Sequence, residues 1–245
     1  AALGPEERVS HILVSHAHLD HSEGVPLLAG ATGAPVYAFG DASAGRSGLM
    51  QRLSALGRLK GGEGLDEEFS CDVVLANGEV LSGDDWSVEA LWTPGHFGNH
   101  LCIALPAEGA IFSADLVMGW ATSLVSPPDG DLSAFMSSLN RLLQRDESDV
   151  YYPGHGAPIE DPKARVNQLI SHRTARHEQI RAALRNAPAT PAELAAGIYT
   201  DIPPALLPAA TRNVFAHLIA MVESGDAEHA EDLGFDVVYR LTGVV

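Results

Sequence analysis

Four potential metal ligands lie within six residues near the start of the chain. His16, His18, Asp20 and His21 directly follow the apolar run at 12–14. Alternate side chains of a strand point to the same side, so His16 and His18 project together. A turn after the strand then brings Asp20 and His21 to a second position. One short segment can therefore supply two ligands to each of two neighbouring ions, and this ligand set suits zinc, or iron or manganese in its place.

Three further candidate ligands each end a predicted strand beside a turn. His96 follows the strand predicted at 87–93, Asp115 follows the strand at 110–114, and His155 follows the strand at 149–152. Any one of them alone would be interpreted as a solvated loop residue. Because α/β folds place their ligands at strand ends, the shared position favours one common site with the first group.

Short apolar runs alternate with Gly- and Pro-rich turns over the first two-thirds of the chain. This pattern predicts an α/β fold, with helices at 24–32 and 132–144. Residues 41–70 are rich in Gly and Ser, which predicts a long connection with one helical stretch near 49–59. The predicted strands are 12–15, 35–39, 72–75, 87–93, 101–105, 110–114 and 149–152.

The pattern changes after Pro162. Residues 164–185 form a helical pattern without Gly or Pro, and Thr190, Pro191 and Glu193 give the start of a second helix. A third helix is predicted at about 205–223 and a β-hairpin at 226–242. Three helices and a hairpin are typical of a winged helix-turn-helix. The sequence therefore predicts a catalytic domain at 1–162, followed by a linker helix and small winged-helix domain at 163–245.

Composition restricts the function classes. The 245 residues carry a net charge of −17, which disfavours nonspecific binding to nucleic acid or anionic membranes. Two separated cysteines exclude a disulfide framework and favour the cytoplasm. We expect no membrane-spanning run. The expected partner is a small-molecule substrate, with single-stranded RNA as the alternative. The sequence is also compatible with a homodimer.

The seven ligand candidates in their order along the chain resemble the signature of the metallo-β-lactamase superfamily, HxHxDH followed by separate His, Asp and His. The resemblance covers roughly the first 160 residues. It implies a four-layer αββα fold and two Zn2+ ions, with Fe or Mn as substitutes. By resemblance, His16, His18 and His96 hold the first ion, Asp20, His21 and His155 hold the second, and Asp115 bridges the pair.

A narrower resemblance involves the segments 93–100, 126–132, 153–156 and 170–173. They are similar to the subfamily of β-lactamase-like protein 2, which combines the hydrolase domain with a C-terminal winged helix. The known animal member of that subfamily is an endoribonuclease acting on single-stranded RNA. Glyoxalase II, a thioesterase, shares the metal signature but has a different C-terminal helical region.

Members of this superfamily normally begin with further strands before the strand that carries the histidines. Here that strand starts about ten residues from Ala1. We therefore expect the N-terminal strands of the fold to be missing from this numbering and to have existed in the working protein. Their loss would expose a hydrophobic sheet edge.

Two divalent ions bridged by a carboxylate can hold a water and lower its pKa to about 7, which gives a hydroxide for hydrolysis. Asp20 beside that nucleophile is the candidate catalytic acid–base group. The sequence favours a dinuclear-metal hydrolase of small esters or thioesters over a single-stranded RNA endonuclease. A winged-helix nucleic-acid-binding protein with structural metals is the alternative of another class. It is disfavoured because structural zinc sites are usually single and thiolate-containing.

Other polar residues have weaker claims. His100 is a candidate for orienting His96 or a substrate, and His172 and Arg173 are candidates for substrate contact from the long helix. That helix also carries many of the basic residues of this acidic protein, which predicts either a phosphate-contacting face or an ordinary solvated surface. The basic residues in question are Lys163, Arg165, Arg173, Arg176, Arg181 and Arg185.

Overall fold

Two β-sheets carry the predicted ligands in the computed structural model, which describes residues 4, 7–57, 59, 64–145, 148–230 and 232–243. The first sheet is parallel, with the order β1-β2-β3. Helices connect its strands, as parallel neighbours require. Its strands are β1 (Ile12–Leu13), β2 (Val36–Ala38) and β3 (Val73–Val74), and its helices are α1 (Leu19–Ser22), α2 (Val25–Thr32) and α3 (Gly48–Ala55).

The second sheet has five strands in sequential order. All its neighbours are antiparallel except the last two strands, which are parallel and are joined through helix α4 (Leu132–Leu143). Asp131 caps α4 by accepting a hydrogen bond from the Ala134 amide at 3.0 Å. The strands are β4 (Val80–Ser82), β5 (Ser87–Trp92), β6 (Leu101–Leu105), β7 (Ala110–Ala114) and β8 (Val150–Pro153).

The sheets pack face to face, with helices on the outer side of each. Leu13 and Tyr37 of the first sheet pack against Leu101 and Ile103 of the second. Helix α2 covers the other face of the first sheet, where Val25 and Ala29 join the cluster around Val36. Apolar residues of α4 and of the following helix cover the second sheet. The predicted four-layer αββα order is therefore confirmed.

Three helices and a two-stranded antiparallel hairpin follow, as predicted for a winged helix. The predicted capping box at Thr190 and Glu193 is present: each side chain accepts a hydrogen bond from the other residue's backbone amide. These elements are α5 (Pro162–Asn186), α6 (Pro191–Ile198), α7 (Leu207–Glu223), β9 (Ala227–His229) and β10 (Tyr239–Leu241).

Helix α7 corrects the expectation that the chain has no run long and apolar enough to span a membrane. The segment Pro204–Glu223 is, among the described residues, the one helical stretch that is long and apolar enough to cross a membrane. Val214, Phe215 and Leu218 of this helix are fully buried inside the protein. They pack with residues of α5 and α6, so α7 has the environment of a core helix.

Candidate metal centre

The first histidine segment is tied to the second sheet by a buried asparagine. The Asn99 side chain accepts a hydrogen bond from the Ala17 amide at 3.2 Å and donates to the carbonyls of Gly40 and Asp41 at 3.2 and 3.0 Å. The carbonyl of Ser15 accepts from the Leu101 amide at 2.7 Å. These bonds place the segment after β1 at the same edge of the molecule as the end of β5.

Three histidines converge in a first cluster. Nδ1 of His18 lies 3.0 Å from Nε2 of His16 and 3.0 Å from Nε2 of His96. Nδ1 of His96 faces the Leu124 carbonyl at 2.7 Å. Because a carbonyl only accepts, Nδ1 of His96 holds the proton and Nε2 offers its lone pair to the cluster.

The first cluster is uncharged at neutral pH. Burial, with a further contribution from His96, lowers the pKa of His18 to about 3. Burial also lowers the pKa of His16, far below its usual value, and that of His96. A metal ion binds the neutral imidazole, so burial prepares these three rings as ligands.

A second, more open cluster lies beside the first. Nε2 of His155 is 3.0 Å from Oδ2 of Asp20, and Nε2 of His21 is 3.6 Å from the same oxygen. The side chain of Asp20 is 57% exposed and that of His155 is 41% exposed. This side of the centre is therefore open to solvent and to a substrate.

Asp115 lies between the two clusters. Its Oδ1 is 3.4 Å from Nε2 of His21, and its Oδ2 is 3.5 Å from Nε2 of His155 and 3.8 Å from Nε2 of His96. Burial acts to raise the pKa of Asp115, but its contact with His21 and the neighbouring His96 and His155 outweigh burial and lower the pKa to about 2. The carboxylate is therefore ionised and contacts both groups of ligand nitrogens.

The donor atoms fit metal ions. Oδ1 of Asp115 and Nε2 of His21 are buried without a hydrogen-bond partner among the described residues, and such atoms need another partner. Ligand atoms within 4.8 Å of one another form three groups. These groups are His16, His18 and His96; His16, His21 and Asp115; and Asp20, His21 and His155.

The backbone around Asp115 is held in an unusual conformation. Ala114 has a φ of 42°, which is uncommon for a residue with a side chain and often occurs at functional sites. The fully buried His100 accepts a hydrogen bond from the Asp115 amide through Nε2 at 3.3 Å and donates through Nδ1 to Thr93 Oγ1 at 2.9 Å. Ser123 Oγ donates to the Asp115 carbonyl. His100 therefore contacts Asp115 and Thr93.

The two candidates on α5 lie outside the ligand clusters. Arg173 is only 3% exposed, and its guanidinium donates to the Ser123 carbonyl and to Asn213 Oδ1. His172 is half-buried on the same helix. Arg173 therefore contacts the protein's own polar groups, and direct substrate contact stays a prediction for both His172 and Arg173.

Most basic residues of α5 are also engaged within the protein. Arg165 donates to the carbonyls of Met118 and Ala121 at 3.0 and 2.6 Å. The Arg176 guanidinium lies 3.7 Å from the centre of the Tyr199 ring, and Arg181 lies 3.9 Å from Asp226. These contacts weaken the interpretation of α5 as a phosphate-contacting face.

Several residues that shape the centre received no functional role from their sequence pattern. Thr93, Asn99 and Gly154 lie within the motif segments. Thr93 contacts His100 of its own segment, whereas the partners of Asn99 and Gly154 come from distant parts of the chain. The one available signal is the density of glycine and small polar residues around His96 and His155. That signal indicates tight backbone approach but does not identify the partner.

Comparisons with known proteins agree with this arrangement. A model of the Metallo-beta-lactamase superfamily matches residues 2–155, and a model of the Beta-lactamase associated winged helix domain matches residues 190–235. The first match contains all seven candidate ligands. The second covers α6, α7 and the first strand of the hairpin.

Individual relatives support both matches. An atrochrysone carboxyl ACP thioesterase of Aspergillus fumigatus is 32% identical over 181 residues, or 73% of this chain and 48% of that protein. The beta-lactamase-like protein 2 homolog of Drosophila melanogaster is 28% identical over 227 residues, or 89% of this chain and 70% of that protein. The crystal structure of a metallo-beta-lactamase family protein of Thermus thermophilus aligns with a TM-score of 0.75 at 25% identity, over 95% of this chain and 80% of that chain.

The chain spans about half the length of the fungal relatives that it matches. The superfamily match extends over more than half of this chain and contains its converging histidines and aspartates. The chain therefore belongs to the metallo-beta-lactamase superfamily.

Proposed function

We propose that this protein is a hydrolase with two metal ions that cleaves thioesters or other small esters. The observation that carries the proposal is the position of the Asp115 carboxylate between two clusters of ligand nitrogens, within 3.8 Å of His96 on one side and 3.5 Å of His155 on the other. A single structural site would not need an ionised carboxylate shared between two groups of ligands.

The residues divide between two ions in this proposal. His16, His18 and His96 would hold one ion, and Asp20, His21 and His155 the other, with Asp115 shared. We propose zinc for both ions because imidazole and carboxylate suit it, with iron or manganese as substitutes. Bound divalent ions would supply Lewis acidity, which lowers the pKa of water and polarises a substrate carbonyl.

The protein's own side chains have separate tasks. The low pKa of Asp115 keeps this carboxylate available as a shared ligand at neutral pH. Oδ2 of Asp20 lies at the exposed side of the centre, where a leaving group can be reached. We assign Asp20 the transfer of the proton released by the attacking water to the leaving group, since a carboxylate within hydrogen-bond reach is a competent general acid–base group.

A neighbouring cavity supports a small substrate. It has a volume of about 470 Å³ and is lined in part by Leu59, Leu65 and Pro128. Leu65 pairs with the backbone of His18, so the cavity lies beside the segment that carries the first cluster, although none of its lining residues is itself a candidate ligand. A volume of this size suits a small-molecule ligand.

The charges of the cavity favour a substrate other than RNA. Asp41, Glu67 and Asp129 line it together with Arg46, and Arg46 lies 2.7 Å from Asp129. An excess of carboxylates repels a polyanion. The thioester class is further supported by the Aspergillus relative, which is named a thioesterase.

A hydrolysis screen on zinc-loaded protein tests the proposal. The substrates are acyl thioesters, a lactone, a β-lactam and single-stranded RNA, and released thiol is measured for the thioesters. We expect thioester cleavage that falls by at least about 100-fold in the D115N variant, with loss of bound metal. The control variant is D85N, which removes an exposed carboxylate outside the centre and keeps full activity.

Two results would contradict the proposal. Cleavage of RNA with all thioesters and esters untouched would make the substrate class wrong. Full activity of D115N with two ions still bound would remove Asp115 from its assigned position.

A further inference from the structure

A second cavity, with apolar side chains beside an arginine and two histidines, lies at the junction of α4, α5 and α7. It has a volume of about 230 Å³, enough for a small ion with several waters. None of its lining residues belongs to the candidate metal groups. The lining residues are Leu132, Met136, Arg173, Thr174, His177 and His217.

His217 is buried in this wall without a hydrogen-bond partner. Its exposure is 1%, and neither Nδ1 nor Nε2 has a partner among the described residues. An unpaired buried polar group costs about 1–3 kcal/mol, and nearly all such groups in native proteins have a partner. A ring with two unpaired nitrogens on a cavity wall therefore indicates a ligand in that cavity.

Arg173 places a positive charge in the same wall. It donates hydrogen bonds to the neutral carbonyl of Ser123 and the neutral amide oxygen of Asn213, and its guanidinium lies 5.2 Å from the centre of the Phe135 ring. Its Nε is buried without a hydrogen-bond partner among the described residues. No carboxylate of the described residues forms an ion pair with it. A buried guanidinium without a counter-charge is costly, so this wall lacks a negative partner.

The other charged and titratable groups around His217 are also basic. The His177 ring centre is 5.8 Å from that of His217. Burial, then Arg173, His177, Arg176 and His172, hold the pKa of His217 well below its usual value. Water in the cavity would give His217 a partner but would leave the positive charge uncompensated.

We propose that this cavity binds a compact oxyanion of the size and charge of inorganic phosphate between His217, His177 and Arg173. An oxyanion accepts hydrogen bonds from imidazole and guanidinium and neutralises the buried charge at once. The exposed Thr174 at the wall provides a route to solvent. The site lies where the catalytic region meets the winged helix.

Calorimetric titration with inorganic phosphate at constant ionic strength tests this proposal. Phosphate also binds metal centres, so the titration is made on wild type and on the D115N variant of the metal centre. We expect saturable binding that persists in D115N. In H217L and H177L the affinity should fall by at least about tenfold, because a charge-assisted hydrogen bond is lost. R185Q removes a positive charge at an exposed position of the same helix and should bind as wild type does.

Folding is checked by thermal melting of each variant. If H217L does not fold, the phosphate affinity of H177L is the deciding measurement, because His177 is only half-buried. Unchanged phosphate affinity in the folded histidine variants, or no saturable binding in wild type, would overturn the proposal. Binding lost in D115N but kept in H217L would assign the phosphate to the metal centre and would equally overturn it.

Discussion

At the residue scale, the backbone of Gly154 passes so close to the centre that only glycine fits there. A Cβ at this position would lie 2.4 Å from Asp115 Oδ1 and 2.8 Å from the His21 ring. Both neighbours are candidate ligands whose positions decide whether two ions can share Asp115. Packing at this level tolerates no extra methyl group without displacement of one of them.

We expect the G154A variant to lose metal and activity with little loss of overall stability. The displaced Asp115 carboxylate should lower the affinity for the second metal and the hydrolysis rate by at least about tenfold. Metal content by elemental analysis and initial rates measure this. G30A is the matched control, since a Cβ there meets nothing within 4 Å. It should stabilise α2 by about 0.5–1 kcal/mol. Equal metal content in both variants would refute the steric argument.

Ligand residues were predictable because their type and position carry a local signal. His96, Asp115 and His155 each follow an apolar strand, and strand ends converge in α/β folds. A supporting role toward His96 or a substrate was predicted for His100, but its contact with Asp115 and the role of Asn99 were not predictable in this way. His100 accepts from the Asp115 amide, and Asn99 binds Ala17 across 82 residues of sequence. Such roles depend on tertiary contacts that no local pattern encodes.

At the scale of elements, helix α7 holds the loop that orients His96. Asn213 Oδ1 accepts hydrogen bonds from the Val125 amide at 3.2 Å and from Arg173 Nη1 at 2.9 Å. The same loop offers the Leu124 carbonyl to His96 at 2.7 Å. The C-terminal region therefore supports a first-cluster ligand through two neighbouring residues of one loop, Leu124 and Val125.

Removal of the Asn213 acceptor should weaken the metal centre from a distance. In N213A we expect a decrease of about 10-fold in metal affinity or activity, typical of groups that orient a ligand. N213D keeps an acceptor oxygen for both donors and should retain wild-type behaviour. Metal titration monitored by competition with a chromogenic chelator measures the difference. Equal affinities in N213A and wild type would show that the loop needs no support from α7.

Elements with long periodic patterns were predicted well, and the short strands β1, β2 and β3 fall within predicted strands, whereas β4 was not predicted. Helix α4 begins at the predicted residue and ends one residue early. Strand β4 was missed because three residues, Val80–Ser82, are too few to show alternation. Its place in the sheet comes from pairing with β5. Helix α3 falls within the part of residues 41–70 where a helical stretch was expected.

At the scale of the whole molecule, residues of both predicted domains pack together in one hydrophobic core. Met50 and Leu53 of α3 pack in the same cluster as Ile180 of α5 and Phe215 of α7. Val166 and Leu169 of α5 likewise pack with the second sheet and α4. Packing therefore crosses the predicted boundary at 162.

A chain truncated after residue 162 should fail to fold stably. The truncation exposes Met50, Leu53 and the face of α4 that α5 covers, and each buried large apolar side chain contributes about 1.5–3 kcal/mol. The expected result is aggregation or the absence of a cooperative thermal transition by circular dichroism. A soluble fragment that melts cooperatively and binds zinc would instead support 1–162 as an independent domain.

The stability of the full chain should depend on His217 at mildly acidic pH. Burial, followed by Arg173, holds the pKa of His217 well below 6.5 in the folded protein, whereas in the unfolded chain it is about 6.5. Below that pH only the unfolded chain takes up this proton, so folding stability falls as the pH falls. The slope for one proton is at most about 1.4 kcal/mol per pH unit.

Urea unfolding of wild type and H217L across this pH range measures the effect, in buffers free of oxyanions so that no ligand occupies the cavity. Titration of the other groups behind the net charge of −17 is common to both proteins and cancels in the comparison. The stability of wild type relative to H217L should decrease as the pH falls through about 6.5. Parallel curves would mean that His217 takes up its proton equally in the folded and unfolded chains, which requires a solvated ring in place of the buried one.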